Sequence, residues 1–389
     1  SIFSKIVLLL PVSFSTISIL FIVLTFFEIL PFNALVIWFF VGLVVTSLFL
    51  KKTQRLYTNA SKAKDTFRQY YLVLQEIENT EFSSNILKEK QKEIQSENKK
   101  ASSIFNEFSK ALDAFDQRNN LLIASFGNAF FLWEIKCGIK VEKWINEYKH
   151  TVEEWIGVIT FFDAKNSLAN FCFNHPNYVF PEIVKNSTII NSQKLGHPLL
   201  NLENRIDNDF EIDKNSFLIV TGANMAGKST FLRTISLSIV MANIGLPVCA
   251  NSFKYKPVKL ITSMRTADSL AENESYFYSE LKRLKLIVDT IQTDDYFIVL
   301  DEILKGTNSK DKASGSKKFV EKLVTLNTTG IIATHDVSLC ELENDFKEIK
   351  NFFFDAKISN NELIFDYLFK KGVCENRNAS FLLKKMKII

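Results

Sequence analysis

Apolar residues dominate the front of the chain: from Ile6 to Leu50 the only charged residue is Glu28. A helix needs roughly 20 apolar residues, at about 1.5 Å each, to cross the hydrocarbon core of a bilayer. Ile6–Phe27 meets that length and Ala34–Leu50 approaches it, with "EILPFN" between them supplying the turn formers Pro31 and Asn33. Glu28 falls at this turn, where a carboxylate reaches headgroups instead of the bilayer centre. Lys5 precedes the first run, and Lys51, Lys52 and Arg55 follow the second. Positive charge at both ends places both on the cytoplasmic side. The pattern predicts a transmembrane helical hairpin over residues 1–52 in the inner (cytoplasmic) membrane, with everything after Lys51 facing the cytoplasm. The competing reading, a buried helical pair in a soluble core, fits poorly with two consecutive charge-poor runs of this length.

The pattern then changes period. Residues 53–165 contain no Pro and only Gly127, Gly138 and Gly157, the composition of long helices. In "SSIFNEFSKALDAF", Ile104, Phe108, Leu112 and Phe115 recur at three- and four-residue spacing, and Val141, Trp144, Tyr148, Val152, Trp155 and Ile159 do the same further on. Such an aromatic stripe is either a packed helix–helix seam, the favoured reading, or a partner surface. "KEKQKEIQSENKK" reads as a solvated helical face. Pro176 and Pro181 in "FCFNHPNYVFPEI" end the helical region. The expected divisions are 1–52 (hairpin), 53–182 (all-helical) and 183–389 (a third, α/β domain).

In that last part the period shortens to strands. "NSFLIVTGANMAGKSTFLRTISLSIVM" reads as strand, loop and helix, and Gly222–Ser229 fits G-x-x-x-x-G-K-[ST]. Gly222 and Gly227 let backbone N–H groups wrap phosphate oxygens. Lys228 supplies a point charge to the outer phosphates, Ser229 a hydroxyl to Mg²⁺, and the helix aims its positive end at the anion. The partner of such a loop is an apolar strand ending in acid. Tyr296–Leu300 followed by Asp301 and Glu302 supplies it. Asp301 is placed to hold the magnesium shell, and Glu302 to orient or deprotonate the attacking water. Adjacent acids at a strand end also act as helix caps, a reading weakened by the phosphate loop upstream. A third strand, "TTGIIATHDVSL", delivers His335, as a donor to a γ-phosphate or simply a satisfied polar residue. Alternating strands and helices predict a parallel sheet with helices on both faces, its ligand at the carboxyl ends of the strands.

Composition adds bounds. At 389 residues, two or three domains are expected, and 47% hydrophobic content permits large cores. A net charge of +4 announces no DNA-wrapping surface, although a local patch is compatible with it. The five cysteines form no C-x-x-C pair, so neither a disulfide framework nor a zinc site is predicted, and reduced thiols are expected. Neither His150 nor His175 has a partner at metal spacing. The chain opens on Ser1, not Met, the expectation for a piece of a longer protein.

"TGANMAGKST" (221–230) resembles the phosphate loop of the MutS family of mismatch-repair ATPases, T-G-P-N-M-x-G-K-S-T, departing at Ala223. "DEILKGTNSKD" is similar to that family's D-E-x-x-x-G-T-x-x-x-D, "ATHD" to its A-T-H segment, and "LGHPLL" to the short motif that leads into its ATPase domain. "FDAKNSLANFCF" looks like the end of its lever helices. The resemblance covers about residues 55–389 and implies an α/β P-loop NTPase with an ABC-type ATPase core, preceded by an all-helical lever domain. It implies ATP and Mg²⁺ as ligands, with Gly222, Ala223, Asn224, Met225, Ala226, Gly227, Lys228, Ser229 and Thr230 around the nucleotide. Ser275, in "MRTADSLAENESYFYSEL", matches the serine that reaches the neighbouring subunit's nucleotide, which implies a homodimer through the ATPase domain. The wording "TGANMAGKSTFLRT", "SMRTADSL" and "DEILKGTNSKDKASGS" resembles the membrane-anchored MutS-like proteins of Bacteroidetes-type bacteria in particular.

One departure bears on substrate. Mismatch-reading relatives wedge the Phe of a G-x-F-x-E motif into DNA; F-x-E occurs here at Phe26, Phe105 and Phe346 among other positions, always without the glycine. The resemblance therefore implies a membrane-tethered ATPase clamp on double-stranded DNA, without support for mismatch recognition. A scaffold or membrane-remodelling switch is the second reading. An ABC-type transport ATPase is the third, disfavoured because no L-S-G-G-Q-like motif precedes the acidic strand.

Overall fold

The structure, a computed structural model, describes residues 7–95, 99–223, 225–264, 276–305, 307–359 and 362–374. It divides into two compact units, Ser1–Ser167 and Leu168–Ile389.

The first unit is helical. Helices α1 (Leu10–Phe26), α2 (Phe32–Ser61), α3 (Lys64–Asn79), α4 (Asn85–Lys92), α5 (Ala101–Asp116) and the short α6 (Asn128–Phe131) precede α7 (Trp133–Asn174), within which the unit boundary falls. The turn between α1 and α2 begins at Phe27, with Glu28 in the left-handed region at φ 60°. The sequence reads as two membrane-length helices. Among the described residues only α2, at 30 residues, is long and apolar enough to cross a membrane by length and composition, while α1 has 17. Only 11% of the apolar window of α2 is buried by the rest of the protein.

The aromatic stripe is a seam. Ile104, Phe105, Phe108, Leu112 and Phe115 of α5 are buried with Leu74 and Ile77 of α3 and with Val141, Trp144, Trp155 and Ile159 of α7. Phe67 stacks on Phe105 at 4.8 Å, and Trp144 Nε1 donates to the Ile104 carbonyl at 2.9 Å. Each such large side chain contributes about 1.5–3 kcal/mol by leaving water. Helix α7 ends two residues before Pro176, whose ring disfavours helical backbone in the residue before it.

The second unit holds β1 (Glu182–Ile183), β2 (Thr188–Leu195), β3 (Asn208–Asp213), β4 (Phe217–Gly222), α8 (Lys228–Asn243), β5 (Ser252–Tyr255), β6 (Lys259–Ser263), α9 (Tyr276–Thr290), β7 (Tyr296–Asp301), α10 (Ser309–Thr325), β8 (Thr329–Ala333), the short α11 (Leu342–Asp345), β9 (Ile349–Phe354), the hairpin β10–β11 (Ala356–Ser359, Glu362–Phe365) and β12 (Lys370–Lys371). The main sheet has the order β12-β9-β4-β8-β7-β6. Its strands β9, β4, β8, β7 and β6 run parallel, and β12 closes one edge antiparallel.

Alternate residues of each central strand point to opposite faces. Leu218, Val220, Phe297, Val299 and Ile331 join Leu232, Ile235 and Ile239 of α8 on one side. Phe217, Ile219, Ile298, Leu300 and Ile332 join Leu284 and Ile287 of α9 and Val320 and Leu323 of α10 on the other. Burial on both faces is why these strands read as unbroken apolar runs. A second, mixed sheet of order β1-β5-β2-β3 packs Ile190, Phe210, Ile212, Phe253 and Tyr255 into the α8-side core. A wholly parallel sheet would leave out both this layer and the antiparallel edge.

Candidate nucleotide site

The carboxyl ends of β4, β8 and β7 lie side by side, with Val220 opposite Ala333 and Asp301 opposite Ala333 in register. The phosphate-type loop, the His-bearing turn and the acidic turn leave the sheet there. The Thr334 N–H donates to the Val220 carbonyl and the Glu302 N–H to the Ala333 carbonyl, both at 2.9 Å, locking the three turns together.

Between β4 and α8 the chain makes a tight loop. Gly222 sits at φ +150°, and a Cβ there would come within 2.6 Å of the Phe354 carbonyl oxygen; Gly227 sits at φ +102°. Neither geometry admits a side chain without strain. Met225, also left-handed at φ 65°, turns its side chain outward and is 79% exposed, whereas Ala226 is buried. Ser229 and Thr230 occupy the first turn of α8. Lys228 is buried, and its Nζ donates to the carbonyls of Gly222 (2.8 Å) and Ala223 (2.9 Å). Burial pulls its pKa below the usual lysine value, opposed by the negative charges of Glu302 and Asp301.

Lys228 Nζ lies 3.5 Å from His335 Nε2, which lies 2.8 Å from Glu302 Oε1, and Glu302 Oε2 lies 3.0 Å from Lys305 Nζ. The hydrogen bond with His335, then that from Lys305, holds the Glu302 carboxyl down to about 2 against the cost of burial. Glu302 is thus a firm carboxylate, an acceptor poised beside the phosphate-type loop. Asp301 is buried, and its Oδ1 has no hydrogen-bond partner among the described residues. A buried, unpaired carboxylate oxygen is costly unless a cation or donor completes it. No group of three or more His, Cys, Asp or Glu placed to hold a metal occurs among the described residues. A buried carboxylate of this kind suits Mg²⁺, which binds through one or two carboxylates plus substrate phosphates. Asn224 and Ser275, both expected at this site, lie outside the described residues.

Several contributors carry no motif of their own. Glu280 of α9 is buried and accepts the N–H groups of Leu304 (2.6 Å, Oε1) and Lys305 (3.1 Å, Oε2), which fixes the acidic turn. That turn holds Glu302 and Leu304 in left-handed conformations at φ 51° and 59°. On the other side of the loop a cavity of about 510 Å³ is lined by His197, Arg205, Met225, Thr230, Phe231 and Tyr367, among others. Asn208 donates to the Tyr367 carbonyl (3.0 Å) and accepts from the Phe369 N–H (2.7 Å), which seats Tyr367 against Gly227. Burial, then the Arg233 charge, lowers the His197 pKa and leaves a neutral ring near pH 7. The volume and the apolar and aromatic lining suit a base and sugar continuing from phosphates on the loop.

Comparison with known proteins agrees with this geometry. Residues 218–386 match the family model for MutS domain V. The chain is 30% identical to "MutS protein homolog 4" of Homo sapiens over 246 residues, 60% of this chain and 26% of that protein. It is 26% identical to "DNA mismatch repair protein MutS" of Staphylococcus haemolyticus over 272 residues, 68% of this chain and 30% of that protein. Against the protein of the same name from Finegoldia magna it is 31% identical over 264 residues, 66% of this chain and 30% of that protein. The chain spans less than a third of the length of these relatives. Residues 218–386 thus carry a MutS domain V, a P-loop ATPase domain, and the chain is similar to MutS-family proteins.

Proposed function

We propose, from the premise that residues 218–386 are a MutS domain V, that this protein hydrolyses ATP and uses the hydrolysis as a conformational switch. The observation that carries this is the convergence of Lys228, Asp301 and the His335–Glu302–Lys305 chain at the ends of three adjacent parallel strands. The loop amides and Lys228 bind the phosphates, and Tyr367 and His197 border the base and sugar. Ser229 and Asp301 are the residues that would hold Mg²⁺, whose chemistry is to neutralise charge on the outer phosphates. Glu302, a carboxylate at any physiological pH, orients the attacking water or accepts its proton. His335, against both Lys228 and Glu302, is placed to register loss of the γ-phosphate.

The finer reading is a homodimer through the ATPase unit, in which Ser275 reaches the partner's nucleotide and helical levers over residues 53–182 open or close a clamp on double-stranded DNA. The names of the relatives, which include "DNA mismatch repair protein MutS", support DNA as the partner. Residues 1–52 tether this machine to the inner face of the cytoplasmic membrane, as in membrane-anchored MutS-like proteins of Bacteroidetes-type bacteria, with 183–389 as the ATPase. The largely unburied apolar surface of α2 supports the tether. It also favours a second reading, a membrane scaffold or remodelling switch driven by the same ATPase.

The test is ATP turnover by the purified full chain, with and without duplex DNA across a salt series. Turnover that Lys228→Ala abolishes, with DNA affinity falling steeply between roughly 50 and 200 mM salt, is the expected result. Turnover without binding to any duplex moves the account to the scaffold reading. Absence of turnover in every condition refutes both.

A further inference from the structure

The helical unit contains a second apolar element besides α1 and α2. From Asn119 to Trp133 no residue is charged, and Arg118 and Glu134 flank the run. Its backbone is a 3₁₀ turn (Gln117–Asn119), a π-helical turn (Ile123–Gly127) and α6. Leu121 is 81% exposed, Leu122 66% and Phe126 55%, although the segment packs beside the hydrophobic core of its unit.

The packing partner of the segment is the apolar part of α2. Phe126 and Phe130 both meet Phe39 edge-on at 5.7 Å, and Thr46 Oγ1 donates to the Asn128 carbonyl at 3.4 Å. Gly42 is where the backbones touch: a Cβ there would fall 1.9 Å from the Ala129 carbonyl oxygen, so only glycine permits the approach. The two flanks return to the polar end of α2. Arg118 bonds Gln54 and covers the Tyr57 ring, and Glu134 Oε1 accepts from Thr53 at 2.7 Å and pairs with Arg118 at 3.4 Å. From Gln54 back to Phe39 is about 22 Å along a helix. The segment therefore enters beside Thr53–Tyr57, reaches Phe39 and comes back to the same end.

We propose that Leu121–Leu132 is a re-entrant element immersed in the acyl-chain layer of the bilayer, on the same side as the end of α2 that carries Lys51 and Lys52. This rests on the membrane-tether reading above and extends it to a segment far along the chain. Non-helical backbone at membrane depth is tolerated only where protein satisfies its polar groups. Here Asn128 does so, donating from Nδ2 to the Ala124 carbonyl (3.0 Å) and accepting the Glu134 N–H at Oδ1 (2.9 Å). Leu121, Leu122 and Phe126 are exposed apolar side chains, as are Ile37, Phe40, Val41 and Val44 of α2. Water would meet large apolar side chains on both elements; acyl chains match them. Gly42 thus holds α2 against a loop whose two feet, Arg118 and Glu134, bond the polar end of the same helix at Gln54 and Thr53.

The experiment is nitroxide labelling of single introduced cysteines in the full chain, reconstituted in phosphatidylcholine–phosphatidylglycerol vesicles. Label taken up by the unsubstituted protein is subtracted. Leu122→Cys and Phe126→Cys probe the segment, Val44→Cys probes α2, and Glu153→Cys gives the aqueous reference; two segment positions keep the test readable if one variant misfolds. The expected result is oxygen accessibility at Leu122 and Phe126 matching that at Val44, with access to a water-soluble nickel chelate several-fold below that at Glu153. If Val44 is lipid-exposed while Leu122 and Phe126 behave like Glu153, the re-entrant element is refuted and the tether stands. If Val44 itself behaves like Glu153, the tether fails and the element fails with it.

Discussion

Glu280→Gln isolates the contribution of a residue that no motif marks. The Glu280 carboxylate is buried and accepts two backbone N–H groups of the acidic turn, from Leu304 at 2.6 Å and Lys305 at 3.1 Å. Glutamine has the same shape but one oxygen. One N–H keeps an acceptor, and the other faces an amide that can only donate. An unsatisfied buried donor costs about 1–3 kcal/mol, and replacing a charged acceptor by a neutral one weakens the surviving bond. Local opening of the turn to water limits the total, so a loss of about 2 kcal/mol is expected. The turn also contains two non-glycine residues at positive φ, Glu302 and Leu304. Each such conformation costs on the order of 1 kcal/mol and persists only while its surroundings impose it. Relaxation of the turn displaces Glu302, and each 1.4 kcal/mol of lost positioning lowers kcat about tenfold. Lys228 sits on a separate loop, so ATP affinity holds. Urea unfolding of the full chain gives the stability change, and steady-state hydrolysis with fluorescent-ATP titration separates kcat from binding. A Glu280→Gln protein with the wild-type urea midpoint and wild-type kcat refutes the reasoning, as does a loss of ATP affinity equal to the loss in kcat.

Three further expectations follow from the same geometry. Glu302→Gln retains ATP binding and lowers hydrolysis by about 10²-fold or more, since it removes a positioned acceptor for the water proton; single-turnover phosphate release checks this, and unchanged turnover contradicts it. The Glu302 carboxyl, held down to about 2 by His335 and Lys305, shows no titration between pH 4 and 7 when followed by carboxyl carbon NMR and assigned with the Gln variant. The sign is that of a depressed acid: its stabilisation is complete above the ordinary carboxyl range near 4.5 and is lost as pH falls through about 2, so a midpoint at or above 4.5 contradicts the ion-pair account. Asn208→Ala frees Tyr367 from the phosphate-type loop by removing two hydrogen bonds, and nucleotide affinity falls several-fold with kcat little changed; equal affinity assigns Tyr367 no part in binding.

Legibility in the sequence varied with how local the physics was. The phosphate-type loop, the apolar strand ending in Asp301 and the strand delivering His335 each carry their pattern within ten or so residues, and parallel pairing then brings them together. Strand burial on both faces made β4, β7 and β8 visible as continuous apolar runs. Glu280 and Asn208 were not legible. Their partners lie 24 and 159 residues away in sequence, and an acid in a helix or an amide at a strand start has no local mark of such contacts. The second sheet carries little sequence signal, since β1 and β5 are two and four residues long. Apolar content alone located the front end but not its geometry: Pro31 caps α2, Asn33, expected in the turn, lies in the first turn of that helix, and α1 is three residues short of a 20-residue span. The run "LLIASFGNAFFLW" is hidden in the long-helix composition of residues 53–165, and only its contacts with Phe39 and Gly42 separate it from the surrounding helical core.

The central claim is that Lys228, Ser229 and Asp301 hold one magnesium–triphosphate group between them. The most direct measurement is calorimetric titration of ATP into the full chain and its Asp301→Asn variant, each with Mg²⁺ and with chelator. The account predicts that Mg²⁺ tightens binding to the wild type and that Asp301→Asn loses this gain while its chelator affinity stays close to wild type. Equal tightening by Mg²⁺ in both proteins, or no binding of ATP to either, contradicts it.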